Sequence, residues 1–83
     1  MSEVYDIARL RWACRRGMLE LDLIFEPYAN TRYPTASRSE QALFWELLSC
    51  NDQELFDWLL KKQAPRDVKF QAIIDILLAH AKL

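Results

Sequence analysis

The chain has 83 residues, of which 52% are hydrophobic, 12% aromatic and 28% charged. This length allows a single domain, expected over residues 1–83, and the composition is too apolar for a disordered tail. One glycine and three prolines supply few of the turns that a β fold requires, so the composition favours an all-α fold. A net charge of −1 argues against a nucleic-acid-binding protein.

The first two predicted helices flank the single glycine. Over residues 4–16 an apolar stripe recurs at helical spacing, and Ala8 and Trp12 widen it; the stripe consists of Val4, Ile7, Leu10 and Cys14. Gly17 interrupts the pattern. A second helix over residues 18–30 carries its own apolar face, formed by Met18, Leu21, Ile24, Phe25 and Tyr28. Residues 30–36, which contain Pro34, are predicted to form a loop.

The next two helices are marked by capping boxes. Ser37 followed by Glu40 predicts a helix that runs to about Ser49, and Asn51 followed by Glu54 predicts the fourth helix. We expect Lys61 and Lys62 in the last turn of that helix, where they complement its dipole.

A fifth helix completes a compact five-helix bundle. Pro65 is predicted at its first position, followed at helical spacing by Val68, Ala72, Ile73, Ile76, Leu77 and His80. The expected core residues of the whole bundle are Leu10, Leu21, Phe25, Leu47, Leu59, Ile73 and Leu77.

Residues capable of catalysis are sparse and scattered. His80 is the only histidine, and Cys14 and Cys50 fit no metal or redox spacing. Both cysteines have apolar neighbours, so we expect buried, reduced thiols, as in a cytoplasmic protein. An enzyme built on Cys14 or His80 is therefore the least favoured class, and no catalytic, cofactor-binding or metal-binding residue is predicted. No apolar run is long enough to cross a membrane.

Arg16, Gly17 and Glu20 form the most distinctive local feature. The three residues could have a purely structural role as a corner between two helices. Such a corner favours arginine in the last turn of one helix, glycine as a left-handed terminator and glutamate in the first turn of the next. The same geometry also suits docking to another protein, because it presents a guanidinium and a carboxylate on a rigid vertex. We expect Gly17 either to have a positive φ or to lie where the helices cross closely. Arg16 and Glu20 should face away from the core, so replacing them should leave the fold nearly intact.

Two motifs resemble the succinate dehydrogenase assembly factor family, which includes the bacterial SdhE flavinylation factors and mitochondrial assembly factor 2. The family's Arg-Gly-x-x-Glu motif matches at Arg16, Gly17 and Glu20, within residues 11–22. The second motif spans residues 47–59 and carries Asp52 and Trp58. Pro65 fits as well, and the similarity covers residues 5–80.

The resemblance implies a five-helix chaperone that binds the flavoprotein subunit of succinate dehydrogenase, or that of fumarate reductase. It implies that the chaperone promotes covalent attachment of FAD to a histidine of that subunit, with the FAD carried by the partner. The residues expected to contact the partner are Arg15, Arg16, Gly17, Met18, Glu20, Asp52 and Trp58. We expect a cytoplasmic monomer. The alternative is an antitoxin-like regulatory protein that acts on a membrane toxin or on cell-division filaments.

Overall fold

The computed structural model of the chain describes residues 7–81, and the predictions for residues 4–6 and for the side chain of Ile7 lie outside it. Within that range the chain forms five α-helices and a short 3₁₀ helix. These are α1 (Ile7–Cys14), α2 (Leu19–Thr31), the 3₁₀ helix (Tyr33–Thr35), α3 (Arg38–Leu48), α4 (Asp52–Leu59) and α5 (Phe70–His80). The prediction of an all-α five-helix bundle is confirmed, with the 3₁₀ helix inside the predicted loop.

Helix α2 lies at the centre of the bundle and packs against α1, α4, α5 and the 3₁₀ helix. All seven predicted core residues are buried, with at most 1% of each exposed: Leu10, Leu21, Phe25, Leu47, Leu59, Ile73 and Leu77. Aromatic rings fill the space between α2 and α3, where Tyr28 and Phe44 have ring centroids 4.7 Å apart. None of the helices within residues 7–81 is long and apolar enough to cross a membrane.

At both predicted capping boxes the N-cap half of the motif forms and sets the start of a helix, whereas the Glu40 carboxylate accepts from Arg32 and Tyr28. The Ser37 hydroxyl accepts a hydrogen bond from the Glu40 backbone N–H at 3.1 Å, and the Asn51 side chain accepts one from the Glu54 N–H at 2.8 Å. Each interaction satisfies a backbone donor that the first helical turn would otherwise leave unpaired. These short-range signals placed the beginnings of α3 and α4 correctly.

The connection between α4 and α5 is longer than predicted. Helix α4 ends at Leu59, and Lys61 and Lys62 lie beyond it, with Lys62 in the left-handed region at φ +57°. Pro65 does not open α5, which begins at Phe70. Instead, Asp67 starts a turn in which its carboxylate accepts from the Lys69 N–H at 3.0 Å. That turn leaves Val68 85% exposed, so its predicted place on the apolar face is wrong.

The apolar stripe of α1 is narrower than predicted. Leu10 and Cys14 are buried, but Ala8 is exposed and Trp12 is 77% exposed. Only one side of α1 contacts the bundle, and helical spacing alone did not identify which apolar residues fall on that side.

Candidate functional site

The turn between α1 and α2 depends on the backbone of Gly17. Its φ is +75°, and a Cβ added there would meet no atom within 4 Å. The glycine is therefore required for its left-handed conformation, which confirms the first of the two alternatives above. The other, a close crossing of two helices at this residue, is wrong because the space around the α-carbon is open.

Arg16 lies beneath this turn with only 15% of its side chain exposed. Its Nε donates to Asp52 Oδ1 at 2.8 Å, and Nη1 donates to the carbonyl oxygens of Ala13 at 2.9 Å and Leu48 at 3.0 Å. Nη2 donates to the carbonyl oxygen of Cys50 at 2.9 Å. Carbonyls at a helix C-terminus have no partner within the helix. One guanidinium therefore pairs carbonyls at the ends of α1 and α3 and also holds the first residue of α4.

The backbone of the same residue reaches α2. The Arg16 N–H donates to Asp22 Oδ1 at 3.1 Å, so Arg16 makes polar contacts with parts of four helices. The prediction that its side chain faces away from the core is wrong. The physical reason is that the five donors of a guanidinium can satisfy several carbonyls at once, and the ends of α1, α3 and α4 converge on that position.

The exposed part of the corner consists of different residues. Arg15, Gly17 and Glu20 are exposed, and Glu20 lies in the first turn of α2, where a carboxylate complements the helix dipole. Neither Arg15 nor Glu20 forms an ion pair with another residue within 7–81. Met18 is half-buried and packs against the core. The corner therefore presents one cation and one anion to solvent from a fixed backbone.

Two further predicted residues lie on α4 but differ in position. Asp52 joins the corner through its contact with Arg16 and keeps 41% of its side chain exposed. Trp58 is only 6% exposed and stacks on Phe70, with ring centroids 5.9 Å apart. The structure thus brings Asp52 to the predicted corner and places Trp58 in the core.

The two groups considered for catalysis are both engaged in packing. Burial raises the pKa of the Cys14 thiol to about 12, against a smaller opposing effect of the Arg16 charge, so the reactive thiolate is scarce at neutral pH. His80 Nδ1 lies 3.0 Å from the carbonyl oxygen of Ile76, and its ring meets Tyr28 edge-on. No cluster of three or more potential metal ligands occurs among residues 7–81.

A helical domain with a rigid, charged and exposed corner is typical of a protein that binds other proteins. Residues 8–81 match the family described as the flavinator of succinate dehydrogenase, and the chain belongs to that family.

Bacterial relatives resemble the chain over most of its length. One from Idiomarina loihiensis is 42% identical over 94% of this chain and 87% of its own length. Another, from Shewanella oneidensis, is 43% identical over 87% of this chain and 88% of its own. A third, from Pseudomonas putida, is 38% identical over 94% of this chain and 93% of its own length. Each of the three is named FAD assembly factor SdhE.

Proposed function

We propose that this chain is an assembly factor that binds the flavoprotein subunit of succinate dehydrogenase and promotes covalent attachment of FAD to it. Membership of the flavinator family supports this function, as do relatives named FAD assembly factor SdhE. The flavoprotein subunit of fumarate reductase is a second proposed partner. The proposed working state is a cytoplasmic monomer, and the free, buried thiols of Cys14 and Cys50 are compatible with a reducing compartment.

The observation that carries the proposal is the corner between α1 and α2. We assign direct partner contacts to the exposed Arg15, Gly17 and Glu20, with Met18 beside them. Arg16 and Asp52 would act mainly by fixing the shape of this surface, since their side chains are already bonded to each other at 2.8 Å. Trp58 would act by stabilising α4, whose first residue is Asp52, through its stacking on Phe70. A preformed surface loses little conformational entropy when it binds.

In this proposal the chain supplies no acid, base or nucleophile, and the FAD belongs to the partner. The bond to FAD would form within the flavoprotein, while the assembly factor stabilises the arrangement in which that reaction occurs. The engagement of Cys14 and His80 in packing supports this division of roles.

Covalent flavin in the partner provides the test. A strain that lacks the gene would be complemented with wild type, Glu20→Ala or Asp75→Ala, and flavin fluorescence of the flavoprotein subunit would be measured in denaturing gels. Asp75 is an exposed acid on α5, outside the corner, and serves as the matched control. We expect Asp75→Ala to restore fluorescence and Glu20→Ala to restore much less, because truncating a charged interface contact can cost about 2–5 kcal/mol. Full restoration by Glu20→Ala would remove the corner from the docking surface.

Purification of the wild-type chain from its own cell extract separates this function from the antitoxin-like alternative. The flavoprotein subunit should accompany the chain. Recovery of a cell-division filament protein or a membrane toxin in its place would contradict the proposal.

A further inference from the structure

Helix α1 exposes a large aromatic side chain that the corner does not use. Among residues 7–81 the large hydrophobic side chains with substantial exposure are Trp12, Leu19, Leu23 and Val68, and the first three lie on α1 and α2. Tryptophan is enriched among the residues that dominate binding energy at protein interfaces. The exposed Trp12 is therefore a candidate binding residue.

Trp12 lines a groove of about 370 Å³ between α1 and α2. Arg11 and Arg15 lie on the same wall as Trp12, while Glu26 and Asn30 belong to the α2 wall. Arg11 belongs to α1, and Arg15 lies in the turn that follows it, where its N–H donates to the Trp12 carbonyl oxygen at 3.1 Å. One exposed aromatic side chain and two exposed arginines thus line the same groove.

Arg11 and Arg15 differ from other arginines in the described part of the chain that form ion pairs. Arg32 pairs with Glu40 at 2.8 Å and Arg66 with Glu54 at 3.5 Å. Neither Arg11 nor Arg15 forms an ion pair within the described residues 7–81. Guanidinium groups bind carboxylates in a planar, two-point geometry, so the groove is complementary in charge to an acidic ligand.

We propose that this groove receives an acidic segment of the flavoprotein subunit. Trp12 packs against an apolar side chain of that segment, and Arg11 and Arg15 pair with its carboxylates. Glu26 on the opposite wall repels those carboxylates and so keeps them on the α1 side. The inference rests on the proposed function and extends its docking surface along α1, with Arg15 shared between the corner and the groove.

The test measures binding of purified chains to the purified flavoprotein subunit by titration calorimetry. We expect Trp12→Ala to weaken binding at least tenfold. The double variant Arg11→Gln/Arg15→Gln should weaken binding at least tenfold at low salt and reduce its salt dependence. Val68→Ala and Arg38→Gln are the matched controls, because they change an exposed apolar residue and an exposed arginine outside the groove. Both should bind as wild type does.

The possible failures are distinguishable. If wild type binds but the Trp12 and double-arginine variants bind equally well, the groove proposal is overturned while the proposed function stands. If wild type does not bind, the proposed function fails and the groove proposal fails with it. Sedimentation of the isolated chain tests another occupant. A dimer that Trp12→Ala converts to a monomer would assign the groove to a second copy of this chain and overturn the proposal.

Discussion

Arg16 Nε and Asp52 Oδ1 are joined by a 2.8 Å hydrogen bond between residues 36 positions apart in the chain. The bond connects the residue before the left-handed glycine to the first residue of α4. The same guanidinium also donates hydrogen bonds to the carbonyl oxygens of Ala13, Leu48 and Cys50. The side chain of Arg16 therefore links the corner to the α3–α4 connection, and replacing Arg16 should alter the structure of both segments.

Arg16→Ala should be strongly destabilising. The substitution removes four side-chain hydrogen bonds and leaves helix-end carbonyls under a partly buried cavity, so we expect a loss of about 2–4 kcal/mol. Urea denaturation measures this loss. Arg15→Ala is the matched control, since Arg15 is exposed and its replacement should cost about 0.5 kcal/mol or less. Arg16→Lys should recover only part of the loss, because an ammonium group cannot reproduce the guanidinium fork. Equal stability of Arg16→Ala and Arg15→Ala would contradict this role.

Gly17→Ala should cost about 1–2 kcal/mol through backbone strain alone, because φ is +75° and the added methyl group meets no neighbour. Asparagine tolerates the left-handed region better than alanine, so Gly17→Asn should be the more stable of the two variants. Thermal unfolding monitored by circular dichroism gives the order. If both variants melt at the wild-type temperature, the positive φ is not a constraint on the fold.

The sequence predicts the fold better than it predicts the site, and the N-cap bonds of α3 and α4 show the reason. The side chains of Ser37 and Asn51 accept from N–H groups three positions away, so the local sequence contains both partners of each N-cap bond. The role of Arg16 depends on Leu48 and Asp52, which are more than 30 positions away. No local pattern encodes that convergence, so the sequence predicts an exposed side chain at Arg16 where the structure has a largely buried one.

The exposure of Trp12 illustrates a related difficulty. The predicted stripe of α1 included apolar residues on more than one side, and only tertiary packing selects the side that is buried. One signal was available in the sequence. Arg11 adjoins Trp12, and Arg15 follows it by three positions, which is a composition more typical of a binding surface than of a core.

Glu40 should make the stability of the chain sensitive to acid. Two hydrogen bonds from Arg32 and one from the Tyr28 hydroxyl hold the pKa of Glu40 below its ordinary value, against the opposing effect of burial. A lowered pKa in the folded state means that Glu40 stabilises the fold above its ordinary pKa of 4.5. That contribution is lost as the pH falls through the folded-state value.

Urea denaturation at a series of pH values measures the effect. Wild type should lose stability more steeply than Glu40→Gln as the pH falls below about 4.5. Glu20→Gln is the control, because Glu20 is exposed and has no ion pair within residues 7–81, and its acid dependence should follow wild type. Parallel curves for wild type and Glu40→Gln would show that the Arg32–Glu40 contact does not contribute.

Cys14 should react slowly with thiol reagents in the folded chain. Burial leaves 1% of the residue exposed and raises the pKa of its thiol to about 12. At pH 8 only about one thiol in ten thousand would be ionised. In a Cys50→Ala background, labelling with a disulfide reagent should therefore be limited by unfolding, and urea should accelerate it strongly. Rapid labelling of the native chain would indicate an accessible nucleophile and revive the enzyme interpretation.

Arg16 and Glu20 should both affect flavin attachment in cells, but for different physical reasons. Arg16→Ala lowers the amount of folded chain, because Arg16 joins the helix ends. Glu20→Ala leaves the fold intact, because Glu20 is exposed, and weakens the proposed docking contact. Growth temperature separates these effects, since a destabilised domain of this size recovers folded population on modest cooling, whereas a missing contact is not restored.

We expect cells with Arg16→Ala to regain covalent flavin and assembly-factor protein together when grown at a modestly lowered temperature. Cells with Glu20→Ala should keep normal protein levels and low covalent flavin at both temperatures. Gel fluorescence of the flavoprotein and immunoblotting of the assembly factor measure the two quantities in the same samples. If Arg16→Ala protein accumulates normally while flavin stays low at both temperatures, Arg16 contacts the partner directly and its bonds to Asp52 and the helix ends are secondary to that contact.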